Sequence, residues 1–324
     1  MSTLLKRYVA LCMALCLVAA LLPCQSVFAA TTQPLNVKNY GAVGNGVTDD
    51  HEAIQAAIDA AADGAVIAVP AGTYLVKDFI VLKSNITFQL DDGATIVNGI
   101  NYSSGPCIVF LTGPYTRGEA KKNWTGVENV TIIGGTIDMN GELNADGTAA
   151  KNLPLVSSSG AFALAHSKNI RIENVTFLNN YRGHTIQISA CDGVTITGCS
   201  FEGQSFPTSM SASTMNNKET IRIEASSTNS FPYATNDTGE ASKNIIIENC
   251  SFGDSEKCGN LSVAIGNHDQ ATTSQKCNNI AVMNNTFNGA TYAGVRFRGY
   301  EGVTVQGNTF IAGRNGIEPE KALP

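Results

Sequence analysis

The stretch from Asn169 to Phe310 writes one nine-residue phrase five times: NIRIENVTF from Asn169, GVTITGCSF from Gly193, NIIIENCSF from Asn244, NIAVMNNTF from Asn279 and GVTVQGNTF from Gly302. A looser copy, NVTIIGGTI, begins at Asn129. Each copy opens with Asn or Gly, alternates apolar with polar residues, and ends in Ser or Thr followed by an apolar residue. A period of two is the pattern of a strand with one buried face, not of a helix. The five strong copies end in Phe177, Phe201, Phe252, Phe287 and Phe310. Val175, Cys199, Cys250, Asn285 and Asn308 stand two places earlier and share their face. Starts lie 24, 51, 35 and 23 residues apart. Repeats of this size mark a solenoid, whose core closes only by stacking neighbours. The shorter spacings fit one coil of an all-β, right-handed parallel β-helix. The longer ones fit either a coil with an insertion or two coils. Stacked amides in the Asn285 and Asn308 column can hydrogen-bond along the axis.

Outside the repeats, Lys6 and Arg7 precede an apolar run from Tyr8 to Leu22, and Val27-Phe28-Ala29 closes it with small residues. This predicts a signal peptide over residues 1–29, cut after Ala29, and a secreted β-helix domain over 30–324. No membrane contact is expected once the leader is gone. Its removal takes two of the 21 basic residues and none of the 27 acidic ones, leaving 19 against 27. That acidity argues against nucleic acid as a partner. Three of the nine cysteines leave with the leader. Cys199 and Cys250 fall in the core column and read as buried thiols. Cys258 and Cys277 flank an 18-residue segment and are a candidate disulfide in an export compartment.

The segment NVKNYGAVGNGVTDDHEAIQAAIDAAADGAVIAVPAGTYLV, Asn36 to Val76, sets up the start of the coil. Thr48-Asp49-Asp50 predicts a helix start, Ala53, Ile54, Ala57, Ile58 and Ala61 form one apolar stripe, and Gly64 ends it. A short amphipathic helix over about Asp49 to Ala62 would cap the open end of the solenoid. The words YGAVGNGVTDD, AIQAAIDAA and VPAGTY closely resemble the N-terminal signature of the pectate lyase superfamily of right-handed parallel β-helices, with rhamnogalacturonase and epimerase members. The signature specifies the fold, not the reaction.

A second strand precedes each repeat: FALAHSKN, TIQISACD, TIRIEASS, SVAIGNHD and GVRFRGYE. Aligned on Leu164, Ile188, Ile223, Ile265 and Phe297, they place Gln187, Arg222, Glu224, Arg296 and Arg298 outward on one sheet face. His184 and Glu219 fall at equivalent positions four residues before their aligned isoleucines. A carboxylate beside an imidazole makes it a candidate acid or base near neutrality. His268 and Asp269 leave the next strand on the same side. The candidate catalytic residues are therefore His184, Glu219, Arg222, Glu224, His268 and Asp269; Arg182, Gln187, Arg296 and Arg298 are candidate substrate contacts. Irregular stretches with Tyr115, Arg117, Lys121, Lys122 and Trp124, and a polar loop over 141–159, read as possible groove walls.

By resemblance, family lyases neutralise a uronate with Ca²⁺ or Arg and remove its α proton with Arg or Lys. The first expectation is a secreted enzyme that cleaves a uronate polysaccharide by β-elimination. The NTD, paired DD, GHG and RIK words of polygalacturonase-type hydrolases are missing as a set, and so is a YGFDPH-like epimerase word. Hydrolysis by paired carboxylates among Glu219, Glu224 and Asp269 stays open. So does a non-catalytic glycan-binding or tailspike-like surface protein, since a fold does not name a function. The metal, the sugar and the oligomeric state are not legible.

Overall fold

The structure, a computed structural model, describes residues 33–100, 107–113, 126–141, 159–206, 210–226, 239–267 and 276–311. The leader, Tyr115, Arg117, Lys121, Lys122, Trp124, His268, Asp269 and most of the 141–159 loop lie outside them.

The chain winds through three parallel sheets of nine, nine and seven strands, and every sheet takes its strands in chain order. That is the right-handed parallel β-helix expected from the repeats. The first half of each phrase lies in the first sheet: Lys168–Glu173, Asp192–Thr197, Lys243–Glu248, Asn278–Met283 and Glu301–Gln306 are successive neighbours. The 51-residue spacing is thus one coil with an insertion, not two. The second half lies in the second sheet, where Phe177, Phe201, Phe252, Phe287 and Phe310 oppose one another in turn. Their rings stack at 4.8–4.9 Å between centroids. This is the strand spacing itself, so the column runs at the pitch of the coil.

The Asn or Gly at the start of each phrase has a backbone cause. Asn129, Asn169, Asn244 and Asn279 have φ of 52–57°, and Gly193 and Gly302 have 79° and 61°. Asn tolerates this left-handed region through its short polar side chain, and Gly has no Cβ to clash. The sixth position repeats the device at Asn174, Gly198, Asn249, Asn284 and Gly307. An outer amide ladder follows: Asn169 Nδ2 donates to Asn129 Oδ1 at 2.8 Å, and Asn279 Nδ2 to Asn244 Oδ1 at 2.6 Å. The inner column also forms. Asn285 Oδ1 accepts from Cys250 N at 2.9 Å, while its Nδ2 reaches Ile247 O and Asn308 Oδ1, both at 3.0 Å.

At the N-terminus the helix spans His51–Asp59, shorter at both ends than the sequence suggested. Its cap residue is Asp50, not Thr48, and Asp50 makes no side-chain capping bond. Instead the buried Asp50 carboxylate ties down the preceding loop, accepting from Val43 N at 2.6 Å and Gly44 N at 3.1 Å. Ile54, Ala57 and Ile58 enter the main core at 0% exposure. The helix also covers the edge of the third sheet. Gln55 Oε1 accepts from Val81 N at 2.8 Å and its Nε2 donates to Val81 O at 3.1 Å, as a neighbouring strand would. His51 Nε2 donates to Phe79 O at 2.8 Å. These bonds satisfy backbone groups that an edge leaves open.

The suggested Cys258–Cys277 disulfide is not present: all six cysteines of the described coil are free and buried. Cys277 sits in the main core, whereas Cys258 Sγ donates to Gly141 O at 3.1 Å on the other side of the coil. Burial pushes the thiols of Cys191 and Cys277 up to about 12, and a hydrogen bond with Cys250, reinforced by burial, raises Cys199 as well. Protonated, enclosed thiols are poor nucleophiles. Titration with an aromatic disulfide should therefore find six thiols beyond residue 29 in denaturant and almost none in the native protein. Reducing agent should leave the melting curve in place. Four thiols instead of six in denaturant without reductant would signal a disulfide after all.

Candidate functional site

The outer face of the third sheet is unlike that of the other two. Outward residues of the first sheet are mostly exposed or half-buried, but Ser159–Ala165, Ile186–Ser189 and Glu219–Glu224 of the third are buried at every position. Across this face Gln187 opposes Arg222, Arg222 opposes Gly266, and Gly266 opposes Arg296. Arg296 thus stands in the row the sequence assigned it. The strand Val263–Gly266 is set two residues away from expectation: Ile265 opposes Ile221 and Val295 instead of Ile223 and Phe297. A slip of two keeps every side chain on its face, so inward and outward were read correctly while the row was not. Gly266 (φ 148°) then lies between the two arginines, and a Cβ there would sit 1.8 Å from Arg296 O.

The charged residues meet as pairs. Arg222 reaches Glu224 Oε2 at 2.6 Å, and Gln187 Nε2 donates to Glu224 Oε1 at 2.9 Å. Arg296 donates to Glu219 Oε1, and its Nε to Asn267 O at 3.1 Å. His184 joins the pairs: its Nδ1 lies 2.8 Å from Glu219 O and 3.5 Å from Glu219 Oε2. Its Nε2 is 3.5 Å from Arg222 Nη1. A carbonyl only accepts and a guanidinium only donates, so these contacts describe an imidazole with the proton on Nδ1 and its lone pair turned to Arg222. Glu219 is 0% exposed, and Arg222, Gln187, Glu224, His184 and Arg296 are each 5–7% exposed.

The sequence therefore brings His184, Glu219, Arg222, Glu224, Gln187 and Arg296 together. Arg298 stays exposed, and Asn267 clamps its backbone, donating to Arg298 O at 3.1 Å and accepting from Arg298 N at 2.9 Å. Arg182, with φ of 59°, sits at the turn into the third sheet and bonds through its N to Ser205 O at 3.0 Å. His268 and Asp269 lie outside the described residues. Three supporting groups were not anticipated. Tyr292 places its ring 5.4 Å under the Arg296 guanidinium, Asn267 holds both arginine segments, and the Tyr300 hydroxyl donates to Ile223 O. Burial holds the Tyr300 phenol well above its ordinary range. An aromatic four residues before or after an outward Arg was the available signal. His166 is a clip between coils, 3.4 Å from both Glu240 Oε2 and Ser226 Oγ.

Ca²⁺, implied by the resemblance, finds no fitting set here. Among the described residues no three His, Cys, Asp or Glu side chains converge, and both carboxylates of the face are spent on arginine. The arrangement has the parts of an acid–base site, a base, carboxylates and cations, but turned toward one another.

The parallel β-helix and the comparisons place the chain in a carbohydrate-related β-helix family. The chain belongs to the family described as Rhamnogalacturonase A/epimerase, pectate lyase-like, whose profile matches residues 35–322. It is 49% identical over 279 residues to the plasmin and fibronectin-binding protein A of Streptococcus pneumoniae, covering 85% of this chain and 39% of that one. The crystal structure of that organism's surface adhesin PfbA superposes with a TM-score of 0.83 at 48% identity, over 86% of this chain and 61% of the other. An exo-poly-alpha-D-galacturonosidase of Dickeya chrysanthemi is 37% identical over 123 residues, 35% of this chain and 20% of its own length. The chain spans well under half the length of either curated relative.

Proposed function

We propose that this chain is the β-helical binding domain of an exported surface protein of the adhesin type, which holds host proteins or glycans without cutting them. Likeness to a protein named for plasmin and fibronectin, extending over 85% of this chain, supports the reading. The observation that carries it is the state of the third-sheet face. A general base must reach the proton it takes, yet the His184 lone pair faces Arg222 and the whole cluster is over nine-tenths buried. In this reading the polar network is a structural brace, and binding uses exposed edges and loops.

Two assays on one preparation test it. Immobilised fibronectin and plasmin should each retain the protein in a saturable, concentration-dependent way. A panel of uronate polysaccharides should show neither ultraviolet absorbance from unsaturated ends nor new reducing ends. Cleavage is the second reading, favoured by the contact of His184 with both Glu219 and Arg222. Unsaturated product from the parent, lost in His184→Ala, would replace the first reading with the second.

A further inference from the structure

At the corner between the second and third sheets lies a pocket of about 510 Å³. Its size falls in the range of about 300–1,000 Å³ common for small-ligand sites. Phe206 and Met215 give it an apolar wall; Asn216, Asn260, Asp254 and Thr291 give it polar groups. Among the described residues that line it there is no Lys, Arg or His.

The two carboxamides are the telling part. Asn260 is half-buried and its amide makes no hydrogen bond with the described residues. The amide lies against Gly289, so closely that a Cβ on that glycine would be 2.8 Å from Asn260 Nδ2. Asn216 is nearly as open, its Oδ1 accepting only a long 3.5 Å bond from Ser262 Oγ. A carboxamide carries two donors and an acceptor, and leaving them unmet in a half-buried place is costly. Water meets that need at low specificity; a ligand of matching pattern meets it better.

The pattern selects the ligand. Amides and a carboxylate side by side offer donors and acceptors to adjacent hydroxyls, and an apolar wall suits the C–H face of a sugar ring. The described lining residues offer no cation to pair with a uronate, sulfate or phosphate, so the lining favours an uncharged group. We propose that this pocket receives one uncharged sugar residue of a glycan, with Asn260 and Asn216 on its hydroxyls and Phe206 against its ring. The inference rests on the binding reading above and supplies its ligand class.

Saturation-transfer NMR on the full chain tests it, using galactose, glucose and N-acetylglucosamine, with galacturonate as the charged control. At least one neutral sugar should receive saturation and galacturonate should not. Asn260→Ala should weaken that sugar about tenfold, the value of one to two hydrogen bonds, and Phe206→Ala by at least as much. Because Asn260 bonds to nothing in the described protein, its variant should melt with the parent. Three outcomes would overturn the proposal: no neutral sugar saturates, both variants bind unchanged, or Ca²⁺ alone binds by calorimetry and is lost in Asp254→Asn. Fibronectin and plasmin capture on the same preparations separates the two ideas. Retained capture with no sugar signal sinks the pocket alone, while a sugar signal with no capture sinks the protein-binding reading and leaves the pocket standing.

Discussion

A Phe252→Asp chain should fail to give a cooperative melt and should accumulate as insoluble protein. Phe252 stacks between Phe201 and Phe287 at 4.9 Å on each side and is 2% exposed. Removing a buried Phe side chain costs about 3–5 kcal/mol before any charge is considered. Burying an unpaired carboxylate adds several more, against a typical whole-domain stability of about 5–15 kcal/mol. The same holds for Cys199→Asp, whose Sγ donates to Ile172 O at 3.5 Å in the neighbouring column. Asn285→Leu should cost less, about 2–4 kcal/mol, by orphaning Cys250 N and Ile247 O inside the coil. Urea titrations by circular dichroism and by phenylalanine-sensitive near-ultraviolet signal would rank the three. Parent-like midpoints for all of them would mean that these columns do not face the core.

How much of this was readable beforehand follows from period and chemistry. The Phe and Asn columns were legible because a phrase repeated at coil spacing has one physical cause, stacking. The left-handed Asn and Gly positions were legible as punctuation, though not as an outer amide ladder, because only the register shows which Asn faces which. The row of Val263–Gly266 was misread by two residues since SVAIGNHD offers two apolar positions of equal parity. Sequence placed the charges of the third sheet on its outer face, and the structure agrees. What it could not show was burial: outward-facing polar residues read as a wet working surface, and nothing local in TIRIEASS says that Arg222 and Glu224 are covered. The Cys258–Cys277 pairing failed for a related reason, since chain proximity across a loop does not place two residues on the same side of a coil.

Burial also decides what the charged face does when broken. Arg222→Ala should lower stability by about 3–5 kcal/mol, because it takes the guanidinium from a carboxylate that is 6% exposed. Glu224→Ala should cost a similar amount by taking the carboxylate from both Arg222 and Gln187 Nε2. The double variant Arg222→Met with Glu224→Leu should recover most of the loss, since apolar groups of similar volume replace a buried pair at little net cost. A double-mutant cycle then yields a coupling of roughly 2 kcal/mol or more between the two positions. An exposed working pair behaves differently: surface ion pairs contribute about 0–1 kcal/mol, so each single variant would melt with the parent and the cycle would close near zero. The binding reading adds a second readout. Fibronectin and plasmin capture should survive in the double variant, because the brace is restored and the exposed edges are untouched. If that variant is as stable as the parent yet captures neither ligand, the network itself belongs to the binding surface, and the face has to open to work.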